Sequence, residues 1–245
     1  IHVHLFNAQL VNRVAWDNAI RPPDPNELGW KETLRVNPLQ DTIIALRPIA
    51  PSVPFDLPNS VRPIDPTLPL GEPLKTPPIG EWQDPTGEPV VVLNKLVNFG
   101  WEYVYHCHLL AHEEMDMMHS VVFAGAPKEP TSLAAAVIGS GNNQRVDLTW
   151  RDNSLNETRW IVQRSTSAAG PWTTVAQLAS PTGATQGATV TYTDRTVARR
   201  QTYYYRVIAD NVVGDTTVYP APAVGFPAMS AQSLPSNTSN SVTTQ

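Results

Sequence analysis

Trp101-Glu102-Tyr103-Val104-Tyr105-His106-Cys107-His108-Leu109-Leu110-Ala111-His112-Glu113-Glu114-Met115-Asp116-Met117-Met118 decides the reading of this chain, because it holds the only cysteine of 245 residues and three of the six histidines. Trp101, Tyr103, Val104 and Tyr105 suit a pleated, half-buried surface, so the run into Cys107 predicts a buried strand. Side chains alternate across a strand, which puts His106 and His108 on one face and Cys107 on the other. A thiolate facing away from two imidazoles, one peptide unit apart, suits two different metal centres joined by a short covalent path.

The spacing continues with His112 five residues after Cys107 and Met117 ten after it. A thiolate, an imidazole and a weak thioether are three of the four ligands of a blue-copper site, and the fourth is a second imidazole. The competing reading is an inert buried cysteine beside structural histidines. It leaves the remaining donors at these spacings unexplained. At the other end, Ile1-His2-Val3-His4-Leu5-Phe6 alternates as a strand does, with His2 and His4 together on one face. Taken alone, that pair reads equally well as a polar strand face.

The run His106 to Met118 resembles the last cupredoxin domain of the multicopper oxidases, whose motif is His-Cys-His with a further His five residues after the Cys and a Met or Leu ten after. It is most similar to the branch of bacterial spore-coat laccases and bilirubin oxidases. The resemblance implies that Cys107, His112 and Met117 bind a type 1 copper, which collects electrons from substrate. It implies that His106 and His108 belong to the type 3 pair of a trinuclear cluster that reduces dioxygen. His2-Val3-His4 resembles the end of the family's His-Pro-x-His-x-His motif, which implies type 2 copper at His2 and type 3 copper at His4. In that family the full protein carries four coppers, with eight histidines around the cluster, so other domains would supply the remaining ligands. The residue after the second type 1 histidine in the spore-coat laccases is a glutamate credited with proton delivery, which points to Glu113 as a proton relay. The bland alternative is a Glu113 that bonds its own loop, with Glu114 or Asp116 next in line.

Gly29-Trp30-Lys31-Glu32-Thr33 also matches the laccase and bilirubin oxidase branch, and Leu34-Arg35-Val36 reads as the start of a strand. Residues 17 to 28 read as a loop, and Thr42 to Leu46 as an apolar strand. From Pro48 to Pro89 the sequence is dense in proline and lacks periodicity, a length of connection that is uncommon inside a compact domain. A packed surface excursion anchored by Trp82 is the favoured reading, over a cover for a substrate pocket. Val90 to Leu96 resumes strand character. His119 has no spacing partner and reads as a surface histidine.

Gly125-Ala126-Pro127-Lys128-Glu129-Pro130 marks a boundary. Beyond it Val146-Asp147-Leu148-Thr149-Trp150, Trp160 to Ser165, Trp172 and Tyr203 to Asn211 resemble a fibronectin type III module, with Tyr203 as its corner tyrosine, and an antiparallel sandwich fits the span. The expected organisation is all-β. Residues 1–126 are a C-terminal, N-terminally truncated cupredoxin domain of Greek-key barrel type, and 127–130 a linker. Residues 131–227 are an immunoglobulin-like fibronectin type III sandwich, and 228–245 a Ser/Thr/Asn-rich tail expected to be disordered. Asn156-Glu157-Thr158 and Asn237-Thr238-Ser239 are formal glycosylation sequons of the kind that arise by chance.

Composition narrows the partners. A formal charge of −5 with interspersed signs argues against nucleic acid. No run of about 18 apolar residues is present, which excludes a spanning helix. The leading expectation is the C-terminal part of a copper-dependent oxidoreductase, inactive alone. It would couple one-electron oxidation of a phenolic, tetrapyrrole or metal-ion donor to reduction of dioxygen to water, outside the cytoplasm. The rival is a non-catalytic interaction or adhesion protein in which the sandwich contacts a polymer or surface and the cupredoxin part is scaffold.

Overall fold

The computed structural model describes residues 1–47, 49, 51–75, 80–83, 87–214 and 228–245. In chain order the strands begin with β1 (His2–Val3), β2 (Asn7–Ala15), β3 (Ile20–Arg21), β4 (Trp30–Lys31) and β5 (Gln40–Arg47). Then come β6 (Val61–Pro63), β7 (Leu96–Asn98), β8 (Tyr103–His106), the single helical turn α1 (Leu110–Glu113) and β9 (Met118–Val121). β10 (Thr131–Ile138), β11 (Arg145–Arg151), β12 (Arg159–Ser165), β13 (Thr173–Ala179), β14 (Thr189–Asp194) and β15 (Thr202–Gly214) follow, with β16 (Ala228–Gln232) and β17 (Val242–Thr243) last. The chain is all-β, and every strand pairing among the described residues is antiparallel. Among the described residues no helix is long and apolar enough to cross a membrane.

Two compact units emerge, residues 1–54 with 102–123, and residues 55–101 with 124–245. The sequence grouped 55–101 with the first unit. In the structure this stretch joins the second instead, because β7 pairs with β15 through Asn98 and Gly214. Asn59 and Asn211 also exchange amide hydrogen bonds at 3.0 Å in both directions. Much of the proline-dense stretch is organised by Asn94, which is 1% exposed. Its side chain accepts from Asp65 N at 3.0 Å and donates to the carbonyls of Asp65 and Leu68 at 2.9 and 2.7 Å. Trp82 anchors its own loop, its Nε1 donating to Lys75 O at 3.1 Å. Residues 48, 50, 76–79 and 84–86 of that stretch lie outside the described residues.

The first unit holds two sheets, β1-β8-β9 and β3-β2-β4 with β5 on β2. On β2 the buried residues are Ala8 and Leu10, then Arg13 and Ala15. The change of phase follows from a bulge between Leu10 and Asn12, which reverses the inward face. Arg13 is thereby turned inward, where its guanidinium donates to both oxygens of Glu27 at 2.7 and 2.6 Å and to Arg35 O at 3.0 Å. That hydrogen bond, more than any other influence, holds the Glu27 carboxyl down to about 2. The consequence is a fixed segment from residue 27 to 35, against which β1 lies: Val3 N donates to Glu32 O and Leu34 N to Ile1 O, each at 2.9 Å. Strand structure there is confined to Trp30–Lys31, earlier than the expected Leu34–Val36.

The second unit is a two-sheet sandwich, β10-β11-β14 facing β13-β12-β15-β7-β6. Alternation on β11 buries Val146, Leu148 and Trp150 against Trp160, Val162, Tyr205 and Val207, and Trp150 meets Trp160 edge-on at 5.7 Å. Tyr203 accepts a hydrogen bond from Ala198 N at 2.9 Å, the corner contact expected of it.

The expectation of a disordered tail is overturned. Ser233, Ser236 and Ser239 each accept, through Oγ, from a backbone N–H of β15 (Ala209, Val207 and Tyr205) at 3.0 Å. Their own N–H groups donate back to the same residues' carbonyls at 2.8–2.9 Å. Between them, Asn237 and Asn240 pair in the same reciprocal way with Leu133 and Ala135 of β10. Every third residue therefore serves one strand and the residue after it the other. Low hydrophobicity signals disorder only when the polar groups have no partners, and here the open edges of two strands supply them. Both sequon asparagines are used structurally: Asn156 is 5% exposed and donates to Gly125 O at 3.0 Å, and Asn237 donates to Leu133 O.

Candidate metal centre

Register brings the histidines together. β1 pairs with β8 so that His2 stands opposite His106, and His4 N donates to Val104 O at 3.0 Å, which carries His4 along the same edge. Donor nitrogens of His2, His4 and His106 consequently lie within 4.8 Å of one another. The His108 ring centroid stands 5.6 Å from that of His106 and 5.7 Å from that of His2. It borders the cluster and is not one of the three converging donors.

Carbonyl partners settle which nitrogens are protonated. A carbonyl can only accept, so His106 Nδ1, 3.1 Å from Cys107 O, carries a proton. His2 Nδ1 likewise donates toward Glu32 O at 3.1 Å, with Thr33 Oγ1 at 3.0 Å. His106 Nε2 faces His4 Nε2 at 3.1 Å. Two nitrogen lone pairs repel at that distance unless a proton or a cation lies between them. Burial first, then the neighbouring His2 and His106, pushes the His4 imidazole below its ordinary value, which favours the neutral, ligand-competent form. Bonds of about 2.1 Å let two imidazoles share one ion across at most about 4.2 Å, so His4 and His106 are close enough to do so.

Cys107 follows the last residue of β8 and is not part of this cluster; its Sγ lies 3.6 Å from His112 Nδ1. Metal–sulfur and metal–nitrogen bonds of about 2.3 and 2.05 Å would close that edge at about 110°, an ordinary angle for a soft or borderline ion. The backbone fixes the pair: Cys107 N donates to Met117 O at 3.1 Å, Met117 N to His112 O at 3.0 Å, and Leu109 N to Cys107 Sγ at 3.5 Å. Met117 closes this loop through its backbone, and its side chain is 48% exposed. The donors are imidazole, thiolate and thioether, so the residues fit copper or zinc and not a hard cation.

Glu113 stands on α1 with Oε2 3.4 Å from His106 Nδ1. Its position is that of a carboxylate behind a ligating imidazole, which orients the ring. Glu32 and Thr33 fill the same place behind His2. The sequence carries no signal for this role of Glu32 and Thr33, because it follows from the backbone pairing of His2 with Thr33. His119 is exposed and stacks on Tyr105 at a centroid distance of 5.4 Å.

Fold and donors together define an all-β chain with a histidine cluster and, beginning at the next residue, a cysteine–imidazole pair. No family model matches it. The chain is similar to a laccase of Haloferax volcanii, 24% identical over 163 residues, which is 66% of this chain and 19% of that protein. It therefore spans about a fifth of that relative's length. Among solved structures it is similar to an Fn3-like protein from Clostridium thermocellum, with 30% identity, TM-score 0.30, and coverage of 47% of this chain and 91% of that one. A second is the pectate lyase Pel3 from Pectobacterium carotovorum, with 22% identity, TM-score 0.27, and coverage of 44% and 26%.

Proposed function

We propose that this chain is the C-terminal part of a multicopper oxidase that withdraws single electrons from a reducing substrate and delivers them to dioxygen. The observation that carries the reading is the pair of donor sets that begin from two consecutive residues, His106 at the end of β8 and Cys107 just after it. Cys107 lies against His112, while the adjacent His106 lies with His2 and His4. A simple electron carrier has use for the first set alone. The distant similarity to a laccase supports the same reading.

In this assignment Cys107, His112 and Met117 hold the type 1 ion, His2 the type 2 ion, and His4, His106 and His108 the type 3 pair. Copper in such sites changes oxidation state by one electron at a time. The chain's contribution is the path between them: Cys107 and His106 are consecutive, so one peptide unit, about 3.8 Å between Cα atoms, joins the two sets. Glu113 holds the His106 ring from behind through its Nδ1, and the proposal gives the same carboxylate the delivery of protons, since water formation consumes them. The remaining ligands would come from sequence outside these 245 residues, and the protein would work outside the cytoplasm.

The test is to express these residues within the longer reading frame that the proposal requires, load it with copper, and follow oxygen uptake with a phenolic donor. Four coppers per chain and donor-dependent uptake are expected. A longer frame without further His-x-His pairs, or a copper-loaded protein that consumes no oxygen, would overturn it in favour of the non-catalytic interaction module.

A further inference from the structure

Asp152 and Glu157 sit in the connection from β11 to β12, in the second unit, and are 0% and 2% exposed. Ser180 Oγ and Thr182 Oγ1 both donate to one Glu157 oxygen, Oε1, at 2.6 and 2.9 Å. With those protons committed, Glu157 Oε2 and Asp152 Oδ2 have no hydrogen-bond partner among the described residues, although both are buried. Among the described residues no Lys, Arg or His pairs with either carboxylate; Ser154 and Thr182 act on Asp152, and Ser180, Thr182 and Asp152 on Glu157. Burial pushes both carboxyls up, and the Asp152 charge adds to the effect on Glu157, which reaches about 6. Buried carboxyl oxygens without hydrogen-bond partners are rare in folded proteins, and each is completed by a proton, a water or an ion. A way in exists, because Glu157, Ser180 and Thr158 line a cavity of about 290 Å³.

We propose that this connection is a calcium site, in which Asp152 and Glu157 supply two carboxylates and Ser180 and Thr182 supply hydroxyl oxygens. Every donor is oxygen, which suits a hard cation and not the ions favoured by imidazole and thiolate. Two positive charges match two carboxylates whose mutual repulsion is otherwise uncompensated. Calcium accepts irregular geometry at 2.3–2.6 Å, whereas magnesium demands a near-octahedral set, so calcium is the better fit to ligands drawn from two loops. The site is independent of the copper assignment.

The experiment uses the 245-residue chain, with unfolding followed by tryptophan fluorescence in chelator and in millimolar calcium. A melting temperature about 5–10 °C higher with calcium is expected, the shift given by a ligand at about a hundred times its Kd, with one calcium per chain by calorimetric titration. Glu157→Gln and Asp152→Asn preserve volume and should lose the response, whereas Cys107→Ser should keep it. A wild-type chain indifferent to calcium overturns the proposal. So does a double variant that binds calcium as the wild type does.

Discussion

His4 Nε2 and His106 Nε2 stand 3.1 Å apart although 102 residues separate them in the chain. The contact depends on β1 lying along β8, and β1 is itself held by the segment that Arg13 anchors through Glu27 and Arg35. A chain of contacts thus runs from a buried ion pair to the strand that carries His4.

Replacing Cys107 with Ser in the copper-loaded parent should abolish the intense visible absorption and donor oxidation. A hydroxyl is a poor ligand for a soft ion. Far-ultraviolet circular dichroism should be unchanged, because the side chain is 8% exposed and the two residues differ little in volume. Retained colour would refute the thiolate assignment.

Met117→Leu and His112→Ala should separate tuning from holding. An axial thioether is a long, weak ligand, so the leucine variant should keep its copper and show a raised potential. His112, 3.6 Å from the sulfur, would hold the ion in the proposed assignment, so its loss should release it. Electrochemistry on the first and metal analysis on the second read the two effects. An unchanged potential in Met117→Leu would remove the methionine from the ligand set.

Stability in chelator should fall as pH rises from about 4.5 to about 6. The Glu157 carboxyl is raised from 4.5 to about 6, chiefly by burial, so in this window the folded chain binds more protons than the unfolded one. Each pH step upward then favours unfolding, by about 2 kcal/mol across the window. Denaturant midpoints measured across this range should show the slope in the wild type and lose most of it in Glu157→Gln. A slope of opposite sign would contradict the burial of Glu157.

Deleting residues 233–245 should strip the outer edge of β15 of its partners. Tyr205, Val207 and Ala209 would each exchange a protein partner for water at the N–H, at about 0.5–1.5 kcal/mol apiece. Ser236→Ala alone should cost about 1–3 kcal/mol, because it leaves the Val207 N–H buried without that partner. Differential scanning calorimetry on the two variants checks both. A truncated chain that melts like the wild type would show that the tail adds nothing to the sandwich.

The sequence by itself determined whatever depends on neighbouring residues. Strand alternation puts Cys107 and His106 on opposite faces, the spacing of His112 lets the loop bring it to the thiolate, and the period of two through Val146, Leu148 and Trp150 specifies a buried face. These are local consequences of backbone geometry. Only tertiary structure decided which distant groups meet. Thr33 and Glu32 stand behind His2 because of a cross-strand register that no spacing encodes. Residues 55–101 joined the second unit because Asn59 and Asn98 found partners on β15. Asp152 and Glu157 look like surface acids in a polar loop, and the fold buries them. The tail reads as disordered by composition, yet Ser236 and Asn237 become strand partners because two open sheet edges present the complementary backbone groups. Hydrogen-bond capacity is written in the residue, but whether it is spent on water or on protein is settled by what the fold places beside it.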